Sequence, residues 1–119
     1  MKIRIKGNSI RYRLSRPEVE LFAKEGLVTE KTEFTNAILT YSILRYTGKM
    51  ISAELTGQNI TIYIPESLAE QWTSTDLVGL EWNMPLSDDK NLYLLIEKDF
   101  KCNDATGLED ESELYNNPL

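Results

Sequence analysis

Apolar and polar residues alternate over the first fourteen positions of the chain, in two runs separated by a short polar turn. Such alternation is typical of strands with one buried and one solvated face. The turn Lys6-Gly7-Asn8-Ser9 places glycine first in a two-residue loop, which favours a type II′ hairpin. This hairpin puts Arg4 opposite Arg11 and Lys2 opposite Arg13 on its polar face, and like charges that face each other destabilise a strand pair.

Two later segments carry the signals of short helices. Ser15, followed three residues later by Glu18, predicts a capping box, and Gly26 predicts the end of this first helix. The segment 65–72 begins with proline, has acidic residues in its first turns, and predicts a second helix. We expect Trp72 at the end of this segment to lie in the core rather than to serve as a ligand platform.

Further alternation predicts strands in the middle of the chain. The segments 37–47, 51–55 and 60–64 are expected to form a three-stranded antiparallel meander, since this arrangement sets apolar residues opposite apolar residues.

A final hairpin is predicted from two alternating runs that follow the second helix. Its expected register sets Trp82 opposite Ile96 and therefore Glu81 opposite Glu97, with Asp99 two residues further on. Three carboxylates would then share the polar face of this hairpin.

These elements together predict an α+β fold. We expect an antiparallel sheet of six to seven strands in hairpins and a meander, with two short helices on one face and with curling of the sheet toward a barrel left open. A chain of 119 residues suits one core. Residues 1–101 are expected to form a single α+β domain, and residues 102–119 a polar, acidic C-terminal tail. No internal repeat is evident in the sequence.

The composition excludes several kinds of chemistry. The chain has no histidine and one cysteine, Cys102, which removes histidine-dependent triads, histidine-ligated metals and an intramolecular disulfide. The formal net charge of -6 repels nucleic acids and anionic membranes at long range. No signal peptide or membrane span is evident, so we expect a cytoplasmic protein.

Two clusters of charge are the candidate functional residues. The candidate anion-binding residues are the cations of the first hairpin: Lys2, Arg4, Arg11 and Arg13. The carboxylates Glu81, Glu97 and Asp99 could bind a hard cation such as Mg²⁺, raise one another's pKa, or pair with basic residues. A ladder of ion pairs between the first and last hairpins is the simplest of these interpretations, because the first hairpin supplies cations in excess.

A concave polar face would bring both clusters into one cavity, where arginines and a divalent cation could hold a phosphate-bearing ligand. In its small size, its antiparallel strands and its alternating charges the chain resembles the triphosphate-tunnel enzymes. Those enzymes begin with a Glu-x-Glu-x-Lys strand, whereas this chain begins Lys2-Ile3-Arg4-Ile5-Lys6. A divalent-metal phosphohydrolase that uses Glu81, Glu97 and Asp99 with Mg²⁺ is therefore kept only as the alternative.

Several segments spread over most of the length carry a second resemblance. They are the hairpin Lys-Ile-Arg-Ile-Lys-Gly-Asn-Ser-Ile-Arg-Tyr-Arg-Leu, the helix start Pro-Glu-Val-Glu, and the runs 62–65, 78–81 and 96–102. In these segments the chain resembles a family of small uncharacterised bacterial proteins, a domain of unknown function. This resemblance implies no activity, no cofactor and no catalytic residue.

The sequence as a whole favours a non-catalytic binding or interaction module over an enzyme. We expect its basic sheet face to take an anionic small molecule or protein partner, without a cofactor and without a role for nucleic acid or a membrane. A homodimer formed through Trp82, Met84 or a free edge strand is a further alternative.

Overall fold

A computed structural model describes residues 1–100 of the chain, which fold into eight strands and two helices. In chain order the elements are β1 (Lys2–Ile5), β2 (Ser9–Leu14), α1 (Arg16–Glu25), β3 (Leu27–Glu33), β4 (Ile38–Tyr46), β5 (Ser52–Thr56), β6 (Asn59–Pro65), α2 (Glu66–Ser74), β7 (Gly79–Pro85) and β8 (Asn91–Lys98). No helix of this part of the chain is long and apolar enough to cross a membrane. The predicted acidic tail lies outside the described residues, so the division into domain and tail stays a prediction.

The strands form two four-stranded sheets, and neither closes into a barrel within residues 1–100. The first sheet has the order β1-β2-β8-β7 and the second the order β3-β4-β6-β5. The central pairs, β2 with β8 and β4 with β6, are parallel, and the outer pairs are antiparallel. The α+β class with two helices is confirmed, whereas the single antiparallel sheet of six to seven strands is wrong.

The β1–β2 turn and the two ends of α1 form as the sequence predicts. Gly7 has a φ of 55°, as the first position of a II′ turn requires, and the register of β1 and β2 pairs Arg4 with Arg11. At the start of α1 the Ser15 hydroxyl accepts a hydrogen bond from the Glu18 N–H, and the Glu18 carboxylate accepts one from the Ser15 N–H. Gly26 ends the helix with a φ of 76°.

The predicted meander is wrong because β6 lies between β4 and β5. Ile60, Ile62 and Ile64 of β6 are buried, whereas β5 is half-buried at its start and exposed over its last three residues. The more apolar strand therefore takes the central position, where it has a neighbour on both sides, and β5 takes the edge. Residues 47–51 carry the chain past β6 to reach that edge.

The register predicted for the last hairpin is also wrong, by two residues. Asp88 and Asp89 both adopt positive φ values, of 58° and 62°, within a loop that closes between Pro85 and Asn91. Leu94 rather than Ile96 therefore lies opposite Trp82. A shift of two residues preserves the alternation, so each side chain keeps its predicted face while its partner changes.

The two sheets face each other across one hydrophobic core. The rings of Tyr12 in β2 and Tyr41 in β4 are 6.0 Å apart, and the Tyr12 hydroxyl donates to the Ile60 carbonyl at 3.4 Å. At the other side of the sandwich the Ala53 N–H of β5 donates to the Met84 sulfur of β7 at 3.4 Å. Burial raises the pKa of the Tyr12 hydroxyl well above its ordinary value, so this group stays neutral in the core.

The helices join the two sheets instead of covering one face of a single sheet, which corrects the sequence-based expectation. α1 connects β2 to β3 and α2 connects β6 to β7, so each helix leads from one sheet to the other. The helices meet through Phe22 and Trp72, whose rings pack edge to face at 6.1 Å. Trp72 is fully buried, as predicted, and its indole N–H donates to the Val78 carbonyl at 2.9 Å.

The order of elements contains an internal repeat that is not evident in the sequence. Two strands, a helix and two strands occupy residues 2–46, and the same series occupies residues 52–98. Gly7 and Gly57 stand at the same position in equivalent turns, and Phe22 and Trp72 at the same position in equivalent helices. Each sheet combines one hairpin from each half, so the halves are related by an approximate two-fold axis.

In each half, a cation of the last strand donates a hydrogen bond to a backbone carbonyl at the C-terminal end of the helix. The Arg45 guanidinium donates to the Ala23 carbonyl at 3.1 Å, and the Lys98 ammonium donates to the Thr75 carbonyl at 2.8 Å. A cation at this place satisfies an unpaired carbonyl and opposes the negative end of the helix dipole.

The α-ammonium of Met1 joins β1 to α1 and β3. It contacts the carboxylate of Glu18 and lies 2.8 Å from that of Glu30. Burial alone would lower the pKa of this ammonium, but its hydrogen bonds to the two carboxylates outweigh burial, so that its pKa is raised. For Glu18, burial would raise the pKa, but the ammonium and the Ser15 N–H lower it. Both groups are therefore held in their charged forms.

Replacement of the buried indole tests the contact between the helices. We expect Trp72→Ala to lower the free energy of unfolding by about 3–5 kcal/mol, because it opens a cavity where the two helices pack on each other. Leu21→Ala, on the exposed face of α1, is the matched control and should change it by less than about 0.5 kcal/mol. Urea unfolding followed by circular dichroism measures both, and similar losses in the two variants would contradict the described core.

The pair of Met1 and Glu18 should shape the pH dependence of stability. The contribution of Glu18 is present above its ordinary pKa of 4.5 and is lost as the pH falls through the lowered folded pKa. The contribution of the ammonium is present below its ordinary pKa of 8.0 and is lost as the pH rises through the raised folded pKa. We therefore expect a stability plateau between these values, with a fall on each side.

Glu18→Gln tests this expectation because glutamine retains the capping box but not the charge. The variant should lose about 1 kcal/mol on the plateau and should show a weaker fall at both ends of the pH range. Glu20→Gln, at an exposed position of the same helix, is the control. Equal pH profiles for the wild type and Glu18→Gln would show that the pair does not contribute.

Candidate functional site

The candidate site lies on the outer face of the first sheet, which we call the charged face. Alternation directs one set of side chains of β1, β2, β8 and β7 into the core and the other set onto this surface. The charged face is defined by Lys2, Arg4, Arg11, Arg13, Glu81, Tyr93 and Glu97, together with Asp99 directly after β8.

Parallel pairing of β2 with β8 brings cations and carboxylates of the charged face together. The register places Arg13 beside Glu97. One oxygen of Glu97 accepts hydrogen bonds from Arg11 Nε at 2.8 Å and from Arg13 Nε at 3.1 Å. The Glu97 side chain is 17% exposed, so solvent screens these pairs less than it screens fully exposed ones. One carboxylate thus relieves the repulsion between two arginines of the same strand.

Asp99 extends this ladder to the first strand of the hairpin. Its carboxylate lies 3.1 Å from the Lys2 ammonium and 3.7 Å from the Arg13 guanidinium. The predicted ladder of ion pairs between the first and last hairpins is therefore confirmed for Lys2, Arg11 and Arg13.

Arg4 differs from the other three cations of the predicted anion-binding set. It stands directly opposite Arg11 in the β1–β2 register, and its side chain is exposed. Arg4 forms no ion pair with a carboxylate of residues 1–100. The four cations of the predicted set thus meet two carboxylates in the ladder, and within residues 1–100 Arg4 is the one without a carboxylate partner.

Glu81 does not join the ladder. The observed register sets it opposite Leu95, while Gly79 is opposite Glu97, so the predicted pairing of Glu81 with Glu97 is wrong. The Glu81 carboxylate instead accepts a hydrogen bond from the Tyr93 hydroxyl. This hydrogen bond to a carboxylate raises the pKa of Tyr93.

The three carboxylates proposed as Mg²⁺ ligands therefore have separate partners: Tyr93 for Glu81, two arginines for Glu97, and Lys2 with Arg13 for Asp99. Within the described residues no group of three acidic or cysteine side chains is placed to hold a metal ion. A divalent cation needs several oxygens that converge on one point, so the donor set does not fit Mg²⁺.

A polar groove of about 540 Å³ lies between the end of α1, β4 and α2, and no pattern in the sequence indicates it. It is lined by Ala23, Arg45, Glu66, Glu70, Thr73 and Ser74. Several of its polar atoms already serve the helices: Arg45 donates to the Ala23 carbonyl, and the hydroxyls of Thr73 and Ser74 donate to carbonyls of α2. These polar atoms of the groove are already used by the backbone of the two helices. The charged face therefore remains the candidate site.

Comparison with known proteins agrees with the resemblance expected from the sequence. No curated protein and no solved structure matches the chain. The model of a family described as a family of unknown function (DUF7009) matches residues 1–119. Because this match extends over the whole chain, the protein belongs to the DUF7009 family of unknown function.

Proposed function

We propose that this protein is a small cytoplasmic binding module, without catalytic activity, whose charged face takes an anionic partner at Arg4 and Arg11. One observation carries the proposal: two arginines face each other across β1 and β2, and among residues 1–100 a carboxylate pairs with only one of them. An anion bound between them would remove the repulsion that this register creates.

The chemistry of the two side chains suits an oxyanion. A guanidinium offers several N–H donors in a planar fork, which matches the oxygens of a phosphate or a carboxylate. Arg11 uses its Nε for Glu97, so its terminal nitrogens are the atoms available to a ligand. Arg4 lies on β1, an edge strand of the first sheet, where a partner can approach from the side as well as from above.

A second explanation for Arg4 is protective. Charged residues on edge strands prevent edge-to-edge association of sheets, and such a role needs no ligand. The two explanations differ in one measurable property, because only a binding site saturates with an anion and depends on Arg4 more than on other exposed arginines.

The first test is a titration of the protein with inorganic tripolyphosphate and, separately, with citrate, followed by thermal unfolding. A ligand at one hundred times its dissociation constant stabilises the folded state by about 2.7 kcal/mol, which gives a clear rise in melting temperature. We expect Arg4→Ala to weaken binding at least about tenfold, since it removes charge-assisted hydrogen bonds worth about 1.5–3 kcal/mol.

The matched control is Arg16→Ala, which removes the same exposed side chain at the start of α1. It should leave the dissociation constant unchanged within about twofold. Tripolyphosphate binding without citrate binding would identify phosphate as the preferred group. Absence of saturable binding to either probe, or equal losses in the two variants, would overturn the proposal.

The second test removes the internal competitor for the arginines. Glu97→Gln should lower the stability by about 1 kcal/mol, because Arg11 and Arg13 lose a charged partner that is largely shielded from solvent. The same variant should bind the anion more tightly, because the freed guanidinium groups can turn to the ligand. These opposite effects on stability and affinity distinguish a binding face from ion pairs that only hold the fold.

Glu70→Gln, an exposed position of α2, controls for the change in net charge. Urea unfolding and the same ligand titration measure both variants. If Glu97→Gln binds the anion no better than Glu70→Gln does, then Arg11 does not contact the ligand.

A further inference from the structure

The described part of the chain ends beside the charged face. Asp99 follows β8 directly, and its N–H donates to the Leu14 carbonyl at the end of β2, at 2.8 Å. Its carboxylate lies 3.1 Å from the Lys2 ammonium and 3.7 Å from the Arg13 guanidinium. The chain that follows Asp99 therefore starts next to cations of this face, and these cations already bind one carboxylate from the same part of the sequence.

The charges at the two ends of the sequence are complementary. Residues 1–16 contain no acidic residue and six basic ones, which are Lys2, Arg4, Lys6, Arg11, Arg13 and Arg16. The acidic tail, residues 102–119, contains no basic residue and five acidic ones, which are Asp104, Glu109, Asp110, Glu111 and Glu113. Four of these five lie within positions 109–113. Opposite charges attract over about 8 Å at physiological ionic strength, so a run of this density suits a basic hairpin close to it.

Among residues 1–100, Arg4 is the cation of the charged face without a carboxylate partner. It stands opposite Arg11 on β2. Lys2, two positions earlier on β1, pairs with Asp99. Two positions along a strand span about 7 Å, so Arg4 lies only a short distance along the face from the point at which Asp99 is held. The next carboxylates of the sequence after Asp99 are those of the acidic tail.

The chain between Asp99 and the acidic run is long enough to reach Arg4. Residues 100–108 separate Asp99 from Glu109. An extended chain spans about 3.3–3.6 Å per residue, so this connection reaches about 30 Å. It can therefore turn back from the end of β8 and still place positions 109–113 over β1. A connection of this length also holds the carboxylates at an effective concentration of millimolar order beside the face.

We propose that the acidic tail docks on the charged face, with the carboxylates of positions 109–113 at Arg4 and Arg11, and that it competes there with the anionic partner. The docking continues the ladder in which Glu97 and Asp99 already pair with cations of the first hairpin. The competition rests on the proposed anion site, whereas the docking does not. A partner must displace the acidic tail, which favours a ligand of higher charge density than a carboxylate, such as a polyphosphate.

Paramagnetic relaxation enhancement measures the docking in the full chain. Cys102→Ser removes the single cysteine, and Asn116→Cys then carries a nitroxide label three positions beyond Glu113. At low ionic strength we expect the label to broaden the backbone amide signals of β1. The signals of β5, at the edge of the other sheet, should stay sharp. Added salt should reduce the broadening of β1, because exposed ion pairs are screened.

Two matched sets of substitutions separate docking from mere nearness to the charged face. The first set neutralises the acidic run with Glu109→Gln, Asp110→Asn, Glu111→Gln and Glu113→Gln. The second removes the same number and kind of charges at exposed positions in and after the helices, with Glu20→Gln, Glu25→Gln, Glu70→Gln and Asp76→Asn. The broadening of β1 should fall several-fold in the first set and stay unchanged in the second. Equal broadening in the two sets would overturn the docking.

Substitutions on the face test where the acidic tail binds. Arg4→Ala should reduce the broadening of β1, and Arg16→Ala, at an exposed position of α1, should not. Equal effects of the two would overturn the assignment to Arg4. A mixture of isotope-labelled chain without nitroxide and nitroxide-labelled chain without isotope should show no broadening. Broadening in this mixture would place the tail of a second copy on the face and would overturn docking within one chain.

Titration with tripolyphosphate tests the competition. The set with the neutralised acidic run should bind it about three- to tenfold more tightly than the matched set, because the ligand no longer displaces a tethered competitor. Equal affinities would overturn the competition. If neither set binds tripolyphosphate, the proposed anion site fails and the competition fails with it. The broadening of β1 in the absence of any ligand still decides whether the acidic tail docks, so the two failures are distinguishable.

Discussion

The parallel pairing of β2 with β8 is the constraint on which the rest of the structure depends. It joins the first hairpin of the chain to the last, and the equivalent pairing of β4 with β6 joins the two middle hairpins. A hairpin alone is at best marginally stable, because it has one apolar face and nothing to cover it. Pairing each hairpin with one from the other half makes two sheets, and the buried residues of both sheets then form a single core.

The same pairing decides the electrostatics of the charged face. In the first hairpin Arg4 faces Arg11 and Lys2 faces Arg13, an arrangement that is unfavourable in isolation. β8 brings Glu97 between the two arginines of β2, and this contact depends on a parallel neighbour with that register. Stability of the sheet and charge on its surface are thus coupled, since Glu97 both holds β8 to β2 and limits the positive charge that a ligand would meet.

Local structure could be predicted from the sequence, and the choice of strand neighbours could not. The glycine-first turn, the capping box of Ser15 and Glu18, and the buried position of Trp72 each depend on residues close together in the chain. Alternation indicates which face a residue occupies but not which strand lies beside it. The sequence therefore predicts β6 beyond β5, whereas the structure has β6 between β5 and β4. The ion-pair ladder could be anticipated because it needs only complementary charge, whereas the position of Glu81 depended on two aspartates with positive φ.

The internal repeat explains why the candidate site occurs once in a structure with two similar sheets. Positions that face the core are apolar in both halves: Tyr12 corresponds to Ile62, and Phe22 to Trp72. On the outer faces the halves differ, since Arg11 corresponds to Thr61 and Arg13 to Tyr63, which donates a hydrogen bond to Glu54. Packing constrains the core positions of both halves in the same way, but it leaves the outer positions free. The concentration of cations on only one outer face of residues 1–100 is therefore not a requirement of the fold, and it is the difference between the two sheets on which the proposed anion site depends.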